Sequence, residues 1–551
     1  MIAIIRREFL AILRTPWVVP SIVAAAGCFA ALVLWRWPAT GLVDFSGAQA
    51  REVFRIFALG LFAGVLLLVP AIPATSIVRE RRQGTLLLLL DSPLSPASIY
   101  FGKLLAMLLF AALLACTSLP AMAACYAMGG IDLWRDVFSL YAVLGLLTVE
   151  CIALGLLIST FAQSTDSAVR LTYAAVFTLC FLTLGPHILL RGQAGWKSEA
   201  AGLVRGLSPL PVMLQRVGLG GAGSQGLVER DSGGGVFFLG GCLLTLGAMA
   251  FTLLHLNHRL FDRARSQGAI TDEQSGSVRA LRRLFFIVDP QRRSAGIPDW
   301  LNPVMVKEFR TRRFGRLHWL LRLIAVFALA SLLITFAATT GTIDWGVEAI
   351  GGAMVLLQVA IIVVITPSLA SGLISTEVES RGWELLRMTP LSTLRIVTGK
   401  LASVALTTML VLLATLPGYA VMMAIRPAMW LQVSLVMVCL VLTVVVTLAV
   451  GAAVGSLFSR TATATVVTYA VLMAMFLGPL LVWSARERPF GHEVVESALS
   501  LTPLGAALSA IRMPGFGQYD LIPWSWRVAG IVTAAALVIL GIRVRRLTEP
   551  S

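Results

Sequence analysis

Apolar runs of about 20 residues, the length that crosses the hydrocarbon core of a bilayer as an α-helix, recur along the chain between short polar segments. A bilayer offers no water to unpaired backbone groups, so such runs are expected to be helical. We predict six of them in each half of the 551-residue chain. The predicted spans lie near 17–35, 56–78, 101–127, 137–160, 168–190, 236–256, 319–340, 351–375, 401–425, 431–457, 465–485 and 527–543.

The second half of the chain repeats short landmarks of the first half in the same order, about 297 to 300 residues later. Such repetition indicates duplication and fusion, and halves with an even number of spans share one orientation, as parallel repeats do. The predicted fold is an all-α integral membrane protein of about twelve transmembrane helices in two parallel six-helix repeats, 1–260 and 301–551, joined by a basic cytoplasmic linker, 261–300. The matched landmarks include Arg7-Glu8-Phe9 with Lys307-Glu308-Phe309, Pro93-Leu94-Ser95 with Pro390-Leu391-Ser392, Gly102-Lys103 with Gly399-Lys400, and Leu119-Pro120 with Leu416-Pro417.

Composition supports lipid as the main solvent. Charged residues make up 13% of the chain and apolar residues 58%, whereas a soluble domain carries about 25% charged residues. The formal charge of +16 reflects arginines in short loops beside apolar runs, the placement that orients basic loops toward the cytoplasm. We therefore predict the cell (inner) membrane as the location and cytoplasmic N- and C-termini, although Arg51, Arg55 and Arg205 fall on the opposite side. No polar domain is visible that could carry a nucleic-acid-binding patch.

Sequence motifs for catalysis, cofactor binding and metal binding are not found. A P-loop requires Gly-x-x-x-x-Gly-Lys followed by Ser or Thr, but Gly102-Lys103 and Gly399-Lys400 are each followed by Leu and open an apolar run. We interpret these two pairs as structural. The seven cysteines lie inside apolar runs without Cys-x-x-Cys spacing, which favours packing over disulfides or metal ligation. The sequence therefore predicts a protein that is not itself an enzyme.

A short basic, amphipathic stretch precedes the first span of each half. The first stretch contains Arg7, Glu8 and Phe9, and the second contains Lys307, Glu308 and Phe309. Such a stretch suits a helix that lies in the membrane interface, with its apolar side toward the lipid and its basic side toward anionic head groups. A simple stop-transfer flank would be the plainer interpretation of one occurrence, but recurrence in both halves favours an interfacial helix that contacts lipid.

The loop after the second span of each half combines a charged turn, a glycine, a short apolar helix and a Pro-Leu-Ser break. The prolines end the short helix because they cannot continue its hydrogen bonding. The helix is too short to cross a membrane, and exposed apolar surface of this kind usually meets a partner. The second copy is expected to differ by having Trp383 in place of Thr85 and one residue fewer before its proline. The candidate site residues are Glu80, Gly84, Thr85 and Pro93 in the first loop, and Glu377, Glu379, Gly382 and Pro390 in the second.

This combination resembles the ABC-2 type permeases, the membrane subunits of ATP-binding-cassette transporters, once in each half. The resemblance implies that 79–96 and 376–393 are coupling helices that dock onto a separate ABC ATPase subunit, in two copies, which hydrolyses ATP. It also implies that the stretches before each first span are the elbow helices of the family. Short re-entrant helices would then occupy the outer loops at 191–235 and 486–526 and close an outer gate, and the direction of transport would be export.

Glu150 is the notable polar residue within a predicted span. Ionisable groups inside the membrane are costly and usually serve a function, which makes Glu150 a functional candidate. It is a candidate for the transport pathway, or else a glutamate that is protonated or packed beside protein or water. Gln358 is interpreted as a packing or hydrogen-bonding residue. One alternative to the permease is a twelve-span secondary transporter, which would carry several buried charges near mid-membrane. Another alternative is a membrane anchor for an ATPase without transport. The sequence does not indicate the transported substrate.

Overall fold

In the computed structural model the chain is helical, and the described residues contain no β-strand. The helices form two compact units, which follow the two halves of the chain. The structure describes residues 2–14, 18–35, 48–162, 164–180, 182–184, 186–187, 196–217, 233–256, 301–311, 325, 328–329, 332, 347–484 and 491–548.

The first unit opens with a short amphipathic helix and then alternates long apolar helices with shorter ones. A π-helical turn, Leu133–Phe138, leads into the eighth helix. The helices are α1 (Ile2–Leu13), α2 (Val18–Trp35), α3 (Ala48–Leu68), α4 (Ala71–Gln83), α5 (Thr85–Leu90), α6 (Pro96–Cys116), α7 (Leu119–Ala127), α8 (Ser139–Phe161), α9 (Thr165–Cys180), α10 (Trp196–Gly206), α11 (Pro209–Arg216) and α12 (Gly233–His255).

The second unit repeats this order in its described part, with a short amphipathic helix first and a short apolar helix between the long ones. The helices are α13 (Pro303–Thr311), α14 (Val347–Ala370), α15 (Gly372–Glu379), α16 (Gly382–Arg387), α17 (Thr393–Leu413), α18 (Leu416–Ile425), α19 (Trp430–Ser456), α20 (Thr461–Ser484), α21 (His492–Ser500), α22 (Pro503–Ala510) and α23 (Ile522–Thr548).

Within the described residues, nine helical segments are long and apolar enough to cross a membrane, and a tenth is obtained if α1 and α2 count as one span. The all-α membrane fold is therefore confirmed, whereas the count of twelve spans is not. The predicted fifth span corresponds to α9, which has 16 residues because the apolar run passes into a 3-10 turn at Leu182–Leu184. The predicted seventh span, 319–340, lies almost wholly outside the described residues, as does the linker at 261–300.

Glycines bring the second and fourth spans of each unit close together. A Cβ on Gly155 of α8 would lie 2.6 Å from the Pro73 side chain on α4, and a Cβ on Gly455 of α19 would collide with the backbone of Ser371. Small residues at such contacts allow helix backbones to approach, which is how helices associate without a hydrophobic driving force in lipid. This packing fixes the end of the second span, from which the loop with the candidate site residues begins.

The loop before the last span of each unit contains two short helices divided by a Pro-Leu step. Ser208 begins α11 by accepting a hydrogen bond from the Leu210 amide at 3.3 Å, and Thr502 begins α22 by accepting one from the Gly505 amide at 3.4 Å. Proline at the first helical position suits this start because its missing N–H would have no partner there. Nearly all of α22 is buried, which agrees with an element that enters the protein. Its proposed role in an outer gate stays a prediction.

Candidate functional site

The first unit has a basic end, where α1 contacts the C-terminal part of α4. A buried lysine there joins three helices, α1, α4 and α6. The Lys103 side chain on α6 is 2% exposed, and its Nζ lies 3.0 Å from Glu8 Oε1 on α1 and 2.8 Å from Glu80 Oε2 on α4. Arg7 on α1 reaches the other oxygen of Glu80 at 2.6 Å and also contacts Glu8. Lys103 further donates a hydrogen bond to Ser76 Oγ at 3.3 Å. We call Arg7, Glu8, Glu80 and Lys103 the first lysine cluster.

The second unit builds the same arrangement from the matching residues. The Lys400 side chain on α17 is 3% exposed, and its Nζ lies 2.6 Å from Glu308 Oε1 on α13 and 2.8 Å from Glu377 Oε1 on α15. Lys307 stands in the place of Arg7, with its Nζ 3.9 Å from the same oxygen of Glu377. We call these four residues the second lysine cluster. The structure thus joins the predicted interfacial helix to the predicted charged turn, in both halves, through the lysine of the Gly-Lys pair.

The glycine before each buried lysine allows the amphipathic helix to approach. A Cβ on Gly102 would lie 2.8 Å from Ile4 Cγ2 on α1, and a Cβ on Gly399 would lie 2.6 Å from Asn302 Oδ1 just before α13. Asn302 accepts a hydrogen bond from the Val304 amide at 3.0 Å and donates one to the Arg395 carbonyl at 2.7 Å. The Gly-Lys pair therefore combines close packing with a buried positive charge, which explains why it recurs without a P-loop around it.

Electrostatics in the first lysine cluster favour the charged form of Glu8. Burial alone would raise the pKa of Glu8, but the charge of Lys103 and hydrogen bonds from Arg7 and Lys103 outweigh burial and hold that pKa below its ordinary value. A buried lysine without partners would cost several kcal/mol, whereas one with two carboxylates is compensated. The first lysine cluster therefore holds Glu8 in its charged form, and both clusters join their helices around a buried lysine.

The short apolar helix after the first lysine cluster has one buried and one exposed side. Gly84 starts it with φ 74°, a left-handed conformation that glycine adopts without strain. Leu86 and Leu89 are buried, whereas Leu87 is 41% and Leu88 71% exposed. The predicted Pro-Leu-Ser break follows α5 and separates it from α6. At the start of α6, Ser95 Oγ accepts a hydrogen bond from the Ser98 amide at 3.2 Å. The exposed pair of leucines is the apolar surface that the sequence predicted for a partner.

The second short helix corrects the expected alignment of the two loops. The left-handed residue there is Arg381, with φ 57°, and not Gly382. Arg381 lies 297 positions after Gly84, so no residue is missing before Pro390. Trp383 then matches Leu86 and not Thr85, and like Leu86 it is buried; its Nε1 donates to the Leu547 carbonyl at 3.2 Å. The expectation of a shortened second copy with Trp in place of Thr was wrong, because it aligned the two glycines.

The remaining candidate site residues lie outside the lysine clusters. Glu379 accepts hydrogen bonds from the amide and hydroxyl of Thr461, at 2.8 and 2.6 Å, and so joins the loop to the start of α20. Thr85 donates to the Glu80 carbonyl at 3.3 Å. Pro93 and Pro390 are exposed at the ends of the short helices. Phe9 is half-buried, and the side chain of Phe309 lies outside the described residues.

Sequence reasoning did not name Lys103 and Lys400 as site residues, although they form the centres of the two clusters. The available signal was the recurrence of Gly-Lys at equivalent positions in a chain with few other charges inside its apolar runs. Glu150 lies on α8, which contributes no residue to the first lysine cluster. In the described part of the chain, no three His, Cys, Asp or Glu side chains come together as metal ligands.

Two units of membrane-spanning helices, each with the same kind of lysine cluster followed by a short helix with an exposed apolar side, define a duplicated multi-pass membrane protein. The family model described as ABC-2 type transporter matches residues 1–198, and the one described as ABC-2 family transporter protein matches residues 346–543. Together the matches cover more than two thirds of the chain. The chain therefore belongs to the ABC-2 type transporters and is an ABC transporter permease with two fused copies. No curated protein matches the chain at a significant level.

Proposed function

We propose that this chain supplies the whole transmembrane pathway of an ATP-driven exporter and that a separate dimeric ATPase docks on its two short helices, α5 and α16. The observation that carries the proposal is the equivalence of Leu88 and Leu385. These side chains lie 297 positions apart, and they are 71% and 70% exposed. In a chain of fused ABC-2 copies, equivalent apolar surfaces next to the two clusters suit one ATPase subunit each.

The lysine clusters support this proposal because they would transmit a push from the ATPase. Displacement of α5 acts first on Gly84 and the end of α4, and Glu80 is joined there to α1 and α6 through Lys103. Charge-assisted bonds of 2.6 to 3.0 Å fix geometry more tightly than apolar contacts do. A movement at the surface would therefore displace the amphipathic helix and the second and third spans together. ATP binding that closes the ATPase dimer would open the pathway outward by this route.

The two alternatives are less well supported. A secondary transporter would place several charges near the middle of its spans, and in the described spans Glu150 is the one fully buried carboxyl group at mid-span. A membrane anchor without transport would need the same docking surfaces as a permease. ATP-dependent flux in proteoliposomes separates them, because an anchor would recruit the ATPase without moving solute.

The docking surfaces are tested by substituting Leu88→Asp and Leu385→Asp in the tagged full-length chain. Each variant is purified from its native membrane in mild detergent, and bound ATPase is detected by photolabelling with azido-ATP. Both substitutions are expected to reduce the labelled subunit, and the double substitution to remove it, because a carboxylate cannot be buried in an apolar interface without a partner. The matched controls are Leu133→Asp and Leu501→Asp, which are each 51% exposed and lie outside 79–96 and 376–393. Absence of any labelled subunit with the wild-type chain would contradict the proposal.

A further inference from the structure

A carboxyl group lies at the middle of the first unit. Glu150 is eleven residues from either end of α8, Ser139–Phe161, which at about 1.5 Å per residue is roughly 16 Å along the helix axis. That distance is about half the thickness of the hydrocarbon core. The side chain is 0% exposed. Glu150 is thus as remote from both aqueous phases as a residue of this helix can be.

Among the described residues, the surroundings of Glu150 supply neither a counter-charge nor a hydrogen bond. Both carboxyl oxygens are buried and lack a hydrogen-bond partner among the described residues. The group packs against Gly241 of α12, where a Cβ would collide with Oε1 and would also meet Leu146 of α8 at 3.0 Å. The titratable groups that face it are the thiols of Cys151 on α8 and Cys180 on α9. No charged side chain from α3, α4, α6, α9, α11 or α12 forms an ion pair with it in the described structure, Arg170 of α9 included.

The contrast with the second unit shows that this absence of partners is specific. Gln358, also fully buried, donates to Thr415 Oγ1 at 2.5 Å and accepts from the Tyr419 hydroxyl at 2.8 Å. A neutral amide is therefore given partners, whereas the carboxyl group of Glu150 is given none. An uncompensated carboxylate in an apolar interior costs several kcal/mol, and such groups take up a proton instead of remaining charged.

We propose that Glu150 is a proton-binding site and that α12 packs against α8, as seen here, only with the proton bound. The packed state then holds one more proton than any state in which water enters between α8 and α12 beside Gly241. By linkage, a rise in pH favours the open state and a fall in pH favours the packed one. The proton is thus a ligand of the first unit, and this inference does not depend on the ATPase proposed above.

The test compares wild type with Glu150→Gln, which mimics the protonated acid, and with Glu199→Gln, which removes an exposed carboxylate on α10. Thermal unfolding of the purified full-length chains is followed from mildly acidic to mildly alkaline pH. The wild type and the Glu199→Gln control are expected to lose stability relative to Glu150→Gln as pH rises. Equal pH dependence in wild type and Glu150→Gln overturns the proposal.

A second measurement needs no variant that might fail to fold. An apolar carbodiimide reacts with a protonated carboxyl group when the O–H adds across one N=C bond, which gives an O-acylisourea that rearranges to a stable N-acylurea of the same composition. Mass spectrometry of the wild-type chain is expected to find this adduct on Glu150 and to find progressively less of it as pH rises. Labelling of Glu150 that does not change with pH, or no labelling at mildly acidic pH, overturns the proposal.

Discussion

The buried lysine of the second lysine cluster allows the most direct test of how α13, α15 and α17 are held together. Replacement of Lys400 by Met removes contacts of 2.6 and 2.8 Å to Glu308 and Glu377, whose side chains are 7% and 17% exposed. At an effective dielectric constant of about 20, each contact is worth roughly 6 kcal/mol before desolvation is subtracted. Since burial of the three charges offsets much of this, and two carboxylates are left unpaired, we expect a net loss of about 3–5 kcal/mol.

The matched control is Lys307→Ala, because Lys307 contacts the same Glu377 oxygen at 3.9 Å while its side chain is 52% exposed. Solvent screening should hold its effect below about 1 kcal/mol. The assay is thermal unfolding of the purified chain, together with proteolysis of α13 at low temperature. Adding Glu308→Leu and Glu377→Leu to Lys400→Met should restore most of the stability, since apolar replacement of the three buried charged groups leaves no buried unpaired charge. Equal effects of Lys400→Met and Lys307→Ala would refute the reasoning.

Three further predictions use the same unfolding assay. The pKa of Glu8 lies below its ordinary value in the folded chain. The ionised Glu8 side chain therefore stabilises the fold above the unfolded pKa of about 4, and this contribution is lost as pH falls through the folded pKa. Glu8→Gln should unfold more easily than wild type at neutral pH, and its unfolding free energy should fall less in acid. Gly102→Ala places a Cβ 2.8 Å from a side chain of α1 and should cost about 1–3 kcal/mol, whereas Gly145→Ala meets nothing within 4 Å and should not destabilise. Gly84→Ala should cost about 1 kcal/mol and Arg381→Gly should gain a similar amount, because both positions are left-handed.

The long apolar runs predicted the fold well because length and composition nearly determine a transmembrane helix. They were less informative where a run ends inside the protein. The fifth predicted span continued past Cys180, but the helix ends there, and the backbone passes through the 3-10 turn at Leu182–Leu184. Hydropathy does not register that change, because a turn that packs inside protein can be as apolar as a helix in lipid.

Only part of the candidate site could be predicted from the sequence. The repeated charged turns and Gly-Lys pairs were visible, and the structure brings their residues into the same cluster in each unit. Their partnership depends on α1 and α13 folding back against the third span, which no local pattern specifies. The alignment error at Gly382 has a local cause: glycine is the usual left-handed residue, yet Arg381 takes that conformation here.

The two units differ in their interiors far more than at their basic ends, and this difference bears on how a fused permease works. The lysine clusters match residue for residue, apart from Lys307 in place of Arg7. In contrast, Glu150 has an apolar counterpart near Val446, and the buried bond between Gln358 and Tyr419 has none in the first unit, where Leu61 and Met122 stand 297 positions earlier. In the proposed function the two short helices meet two subunits of one ATPase dimer and so face the same requirement twice, which accounts for the likeness of the two clusters. The proposed function places no such requirement on the interior of either unit, so each interior can take its own polar group.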